Sequence, residues 1–232
     1  MSVDRRELLR GVPIFSSLSD RELDLLLTYT TTKRLKKRAF LCRRGDPGLQ
    51  LFAVMEGRLR VVGEGGDGRE VVFNFMDPGD VIGEISILDS QPRSATVEAV
   101  QESVLLALHR RDLLPFFERN PKAAMKLATV LAESVRRLSE LVEDTVFLGL
   151  PSRLAKTLLS LGRRYGKETP QGLLIDQKLP QHELGELVGT SRESINKQLR
   201  QWGEEGLVQV ERGYVTLTDR DRLQELARLL PR

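Results

Sequence analysis

The sequence predicts an α+β chain: an N-terminal β-roll of the jelly-roll type, a long helix suited to pairing two copies, and a C-terminal winged helix-turn-helix. Three observations predict it. Between about Thr32 and Leu108, the short β-rich runs FAV, RLRVV, VVFNF, TVEAV and VLLAL are separated by the turn signals GD, EG, GEGGDG and DPGD, the spacing of a small antiparallel barrel or jelly roll rather than a βαβ sheet. After Pro121, the residues Ala124, Ala128, Leu131, Val135, Leu138, Val142 and Thr145 recur at alternating spacings of four and three, which is a heptad seam. Residues 179–200 hold two apolar helical faces on either side of a glycine, the layout of a helix-turn-helix.

Taken in chain order, Ser19 followed by Glu22 is a capping-box pattern that opens a short helix through Leu23 and Leu25–Leu27. The β-runs follow. A helix from Pro121 to about Phe147 is roughly 40 Å long at 1.5 Å per residue. It either packs on its own barrel or forms the seam of a parallel dimer; an uninterrupted heptad is more than core packing requires. The run LPS at 150–152 marks a break, with Pro151 suited to the first turn of a new helix. Beyond it we read a helix to Tyr165, a polar loop YGKETPQG, a short strand LLI, two helices, the strand pair VQVERGYVTL and a final helix after Asp219. The expected domains are 1–118, 119–148 and 149–232.

Composition narrows the function. With 232 residues, 40% hydrophobic and 30% charged, the chain has an ordinary soluble composition and buries a core. No run approaches the roughly 18 apolar residues that span a bilayer, and MSVDRRELLRG lacks the apolar middle of a secretory signal; a cytoplasmic protein without membrane contact is expected. A single cysteine, Cys42, excludes an intrachain disulfide and a four-cysteine iron–sulfur site, and two histidines, His109 and His182, leave little for zinc. With no nucleophile–base pair or metal cluster in view, an enzyme is not expected. Residues 149–232 carry 14 Lys and Arg against 11 Asp and Glu, whereas the preceding 148 residues carry 22 of each sign. The excess basicity is C-terminal and favours a polyanionic partner for that half.

Two constellations carry chemistry. In the first, GEISILDSQPRSAT at 83–96 breaks the strand alternation. A cyclic nucleotide presents one anionic phosphate and a free ribose 2′-hydroxyl. Arg93 supplies a charge-assisted pair, Ser94 and nearby N–H groups add hydrogen bonds, a short helix from Glu84 points its positive end at the phosphate, and Glu84 accepts from the hydroxyl. Gly83 is expected to let the sugar approach the backbone. The plain alternative is an Arg and a Glu paired on a β-rich surface. In the second constellation, Leu184, Leu187 and Val188 form one apolar face, Gly189 frees the turn, and Ile195, Leu199 and Trp202 form the next. Arg192, Glu193, Asn196, Lys197 and Arg200 share the opposite side, and these residue types read base edges. Arg212 in the following hairpin would reach phosphate. Here the alternative is an ordinary polar face, with Glu193 closing a capping box on Thr190.

The order of β-roll, cassette GEISILDSQPRSATV, long helix beginning NP, the run VFLGLPSRLAKTLLSL and the reader GTSRESINKQLRQWGEEGLV resembles the cyclic-AMP receptor protein and fumarate–nitrate regulator (CRP/FNR) family of bacterial transcription factors. The resemblance implies a homodimer that binds a cyclic nucleotide, cyclic AMP first, as effector rather than cofactor. Its reader domains would move about residues 148–151 and dock on a palindromic, TGTGA-like promoter site in double-stranded DNA, with RNA polymerase as a further partner. It places Gly83, Glu84, Ile85, Arg93 and Ser94 on the phosphate and ribose, and Val61 and Phe73 on the pocket walls. Where cyclic-AMP responders set a Thr and then Ser or Asn against adenine, this chain has Leu138 and Ser139; Ser139 keeps a hydroxyl and Leu138 continues the seam. Ser191, Arg192, Glu193, Asn196, Lys197, Arg200 and Arg212 are the implied DNA contacts. The same fold also admits a regulator that is constitutive or answers another ligand such as cyclic di-GMP. A regulatory module of an enzyme would leave the helix-turn-helix unexplained.

Overall fold

The computed structural model describes residues 5–65 and 70–228; the end of the GEGGDG turn signal, residues 66–68, lies outside them. The chain divides into two units, one holding Phe73–Arg137 and the chain before it up to Arg69, the other holding Leu138 onward together with Glu70–Val72.

The first unit opens with α1 (Arg5–Arg10), a 3-10 turn at Pro13–Phe15 and α2 (Asp20–Thr28). The capping box is present: Glu22 accepts from the Ser19 backbone N–H at 2.7 Å and donates its own N–H to the Ser19 hydroxyl. Strands β1 (Thr30–Leu35), β2 (Phe40–Cys42), β3 (Gln50–Glu56), β4 (Leu59–Glu64), β5 (Glu70–Met76), β6 (Val81–Ile82), β7 (Thr96–Ala99) and β8 (Ser103–His109) form two four-stranded sheets, ordered β1-β8-β3-β6 and β2-β7-β4-β5. Side chains alternate across a strand, and β3 and β8 are buried on both faces. Phe52, Val54, Leu105 and Ala107 point into the roll with Leu35, Leu59 and Val97. Leu51, Ala53, Leu106 and Leu108 point out against Phe15, Leu23, Leu26 and Phe116 of the helical layer. A strand covered on both sides needs no polar alternation, so QLFAV and VLLAL read as continuous apolar runs.

Helix α3 (Glu84–Asp89) interrupts the strands, and α4 (Arg110–Arg119) leads into α5, which spans Pro121–Phe147 as its pattern predicts. Two adjacent rows of α5 do different work. Ala123 and Leu127 are buried in the first unit's core with Val130 packed against it. On the seam row, Val135, Leu138 and Val142 are exposed large apolar residues.

In the second unit α6 (Leu150–Tyr165) starts with Pro151 in its first turn. It is followed by β9 (Gly166–Thr169), β10 (Gly172–Ile175), α7 (Gln181–Val188), α8 (Arg192–Glu204), β11 (Val208–Glu211), β12 (Tyr214–Leu217) and α9 (Arg220–Arg228). Asp219 accepts from the Arg222 N–H at the start of α9. The segment expected to be a polar loop instead forms β9, the edge of a sheet ordered β11-β12-β10-β9. Its side chains Lys167 and Glu168 are exposed, so backbone pairing with β10 holds it and no apolar period marks it. One separate core, from Leu154 through Trp202 to Leu223, holds this unit together.

That separation makes a prediction. Trp202 is 2% exposed, and Trp202→Ala should cost the second unit about 3–5 kcal/mol. In urea unfolding followed by probes in each unit, the second unit's transition should move and the first unit's should stay.

Candidate functional site

Strand β6 ends at Gly83, whose φ is +94°, a backbone region that favours glycine. Helix α3 then runs to Ser90, itself left-handed at φ +62°, and the chain returns through Arg93 toward β7. The backbone fixes Arg93 twice over: its N–H donates to Asp46 O and its carbonyl accepts from Gly45 N, both at 2.9 Å. The side chain is buried, 6% exposed. Nη2 donates to Gln50 O at 2.6 Å, and the guanidinium lies 5.5 Å from the Phe52 ring centroid. Nε and Nη1 are buried and have no hydrogen-bond partner. A buried cation with unused donors carries a heavy desolvation cost, and an anion with several acceptor oxygens relieves it.

Gly83 is needed for a reason other than the expected approach of a sugar. A Cβ there would stand 2.0 Å from Arg93 Nη1 and 2.8 Å from Gln50 O; the space a side chain would take is filled by the guanidinium itself. Glu84 begins α3 half-buried. Burial pushes its carboxyl above the usual carboxylate range, opposed in turn by the backbone N–H groups of Glu84 and Gly83, by Arg93 and by Arg137.

The structure brings Gly83 against Arg93 and leaves Ser94 and Ile85 exposed beside them. Val61 on β4 is half-buried and pairs across to Val97 on β7. Phe73 on β5 lies with its ring 2.4 Å from where a Cβ on Gly63 would be, so the small residue makes room for the aromatic one. Leu138 and Ser139 are exposed on α5, in the second unit. The sequence reading missed the Gln50 carbonyl, since a backbone acceptor has no residue signature, and missed Phe52 because it sits in an ordinary apolar run.

The second constellation is built by α7 and α8. Gly189 takes φ +71° and ψ 47°, ending α7, and Thr190 N–H closes the turn on Gly185 O at 2.8 Å. The cap of α8 is Ser191, whose hydroxyl accepts from Ser194 N–H at 3.2 Å. A Thr190–Glu193 capping box is therefore not formed: with Ser191 at the cap, Glu193 falls one position short of the third residue of the helix. Its carboxylate is held below the usual range by its own backbone N–H and by the Ser191 hydroxyl. Ile195, Leu199 and Trp202 are buried. Arg192, Glu193, Lys197 and Arg200 are exposed on the far side, Ser191 is exposed at the cap and Asn196 is half-buried. Arg212, at φ +50°, and Gly213, at φ +87°, form the two-residue tip of the β11–β12 hairpin, as such hairpins require. Lys178 packs beside Gly213, 3.3 Å from where a Cβ would be, adding a cation next to Arg212 that the sequence alone did not bring there.

Residues 32–120 match the family described as Cyclic nucleotide-binding domain, and residues 152–226 match Crp-like helix-turn-helix domain. The CRP-like cAMP-activated global transcriptional regulator of Mycobacterium tuberculosis is 33% identical over 184 residues, 79% of this chain and 82% of the relative. The Cyclic AMP receptor protein of Thermus thermophilus is 34% identical over 219 residues, 94% and 98% of the two chains. This chain belongs to the CRP/FNR family of transcription regulators. Its fold is also that of the c-di-GMP-responsive global regulator CLP of Xanthomonas campestris, with a TM-score of 0.77, 22% identity and coverage of 87% and 100%. The family's two domain types account for both constellations: the cassette belongs to a cyclic-nucleotide-binding domain and the α7–α8 pair to a DNA-binding one. Among the described residues no helix is long and apolar enough to cross a membrane.

The two glycines of this CRP/FNR chain should respond differently to a side chain. Gly189 has nothing within 4 Å of its would-be Cβ, so Gly189→Ala should cost only the left-handed strain, about 1–2 kcal/mol. Gly83→Ala adds a collision with the guanidinium and should cost more, on the order of 3 kcal/mol. Urea unfolding of each variant, followed in its own unit, checks the order.

Proposed function

We propose that the chain is a homodimeric transcription regulator gated by a cyclic nucleotide, cyclic AMP first, that binds a palindromic, TGTGA-like promoter site and there meets RNA polymerase. The observation that carries the effector reading is the buried Arg93 guanidinium with Nε and Nη1 unengaged. The names of the Mycobacterium and Thermus relatives support cyclic AMP. So does charge: Arg93 and Arg137 are offset by Glu84 alone among the groups acting on that carboxyl, and one phosphodiester brings the local balance to zero where a cyclic dinucleotide would overshoot it. The ribose hydroxyl goes to Glu84, Ser94 and Ile85 border the phosphate, Val61 and Phe73 wall the sugar and base, and Ser139 keeps a hydroxyl for the base. Leu138 in place of a hydroxyl residue favours looser adenine selection, which leaves room for a regulator answering another ligand.

For DNA, the exposed Arg192, Glu193 and Lys197 on α8 read base edges, Asn196 and Arg200 flank them, and Ser191, Arg212 and Lys178 reach phosphates. Lys lacks the planar two-pronged contact of Arg, so the base under Lys197 is read less strictly. The exposed apolar seam of α5 pairs two copies and supplies two readers for a two-fold site.

Arg93→Leu should remove cyclic-nucleotide binding while the fold survives, a loss on the order of 2–5 kcal/mol because one side of a desolvated charge pair is deleted; calorimetric titration of the variant checks it, and undiminished binding would reject the site. Arg192→Ala should cost about 1–3 kcal/mol per half-site and relax one base position. Selection from a random DNA library with wild type, Arg192→Ala and Lys197→Ala separates this from a phosphate contact, whose loss weakens all sequences alike and flattens the salt dependence.

A further inference from the structure

The row of α5 that faces the roll changes character along its length. Ala123 and Leu127 are buried in the first unit's core, and Val130 packs on it. The next members of the row, at spacings of four and three, are Ser134 and Arg137. Ser134 Oγ donates to Val130 O at 3.0 Å, and Arg137 Nη2 donates to Ser134 Oγ at 3.2 Å. The guanidinium is thereby held along the roll-facing row, one residue off the seam position Leu138. Among the described residues no carboxylate lies within ion-pair distance of it.

Helix α3 lies beside the same stretch. Leu88 near its end shares an apolar cavity of about 450 Å³ with Leu114, Phe117, Leu127 and Leu131. Glu84 stands four residues back from Leu88, about 6 Å along the helix axis. Burial raises its carboxyl, and Arg137 is one of the two cations that pull it down, after Arg93. The apolar end of α3 therefore meets the apolar part of the α5 row, and the charged end of α3 meets its cation. A guanidinium that feels a carboxylate without yet bonding it is placed to close on it.

We propose that Arg137 is a positioning residue of the effector site: when a nucleotide binds, its guanidinium pairs with the Glu84 carboxylate, orients that carboxylate toward the ribose hydroxyls and so ties the bound nucleotide to the long helix. The inference rests on the cyclic-nucleotide reading of the cassette. It gives α5 a direct stake in effector binding through a residue that lies off the dimer seam.

Two measurements on the full-length dimer test it. In the free protein, the carboxyl carbon signal of Glu84 should titrate at higher pH in Arg137→Gln than in wild type, because one of the cations facing it, Arg93 being the other, has gone; Arg137→Lys should keep the midpoint near the wild-type value. With cyclic AMP as probe, Arg137→Gln should bind about two- to fivefold more weakly, the size expected of an exposed ion pair, with a shallower salt dependence and an unchanged sedimentation coefficient. The double variant Glu84→Gln/Arg137→Gln should bind no more weakly than Glu84→Gln alone. An unmoved Glu84 midpoint in Arg137→Gln, or a double variant whose losses simply add, overturns the inference even where Arg93→Leu is blind to the nucleotide. Wild-type binding by Arg93→Leu overturns instead the site reading beneath it.

Discussion

A guanidinium buried inside a β-roll is costly, and the geometry of the first unit is arranged around that cost. Arg93 enters on a segment pinned to Asp46 and Gly45 by backbone hydrogen bonds, rests near Phe52, and gives only Nη2 to the protein, at the Gln50 carbonyl. Two of its nitrogens are left for something else. Keeping them available requires that no side chain compete for the space, which Gly83 ensures, and that the carbonyl of β3 be held still. The pairing of Gln50 with His109 across β3 and β8 does that. Removing the unmet demand of the cation is what an anionic effector offers the fold.

From this constraint the division of labour along α5 follows. Its roll-facing row is buried where it supports the core and turns polar where it passes the charged end of α3. Its other row presents Val135, Leu138, Val142 and Val146 to solvent, more exposed apolar surface than a solitary helix keeps without purpose. The helix thus offers one face to the effector domain and one to a second copy, so a change at the first has a route to the second. The reader unit is organised more locally. Its core orients α8 by Ile195, Leu199 and Trp202 and leaves Arg192, Glu193, Lys197 and Arg200 clear of structural duty.

What was legible in the sequence was what is local or periodic. The Ser19–Glu22 capping box, the span of α5, the glycine turn of 189 and the hairpin carrying Arg212 are each set within a few residues or by a repeating spacing. What escaped was set by partners distant in the chain. The β9 edge is held by backbone pairing and has no apolar face to announce it. The cap of α8 falls on Ser191 rather than Thr190, two adjacent hydroxyl residues that differ only in which reaches the Ser194 N–H. Gly83 was correctly singled out, but the atom that needs its emptiness belongs to a residue ten positions on. Arg137 looked like one more charge on the flank of a heptad until the cassette helix was seen to run beside it.

The central claim is that an unsatisfied buried guanidinium selects a single cyclic phosphodiester. Calorimetric titration of the wild-type protein with cyclic AMP, cyclic GMP and cyclic di-GMP addresses it most directly. The account predicts one cyclic mononucleotide bound per chain, with cyclic di-GMP weaker than cyclic AMP. Binding of cyclic di-GMP alone, or of none of the three, would contradict it.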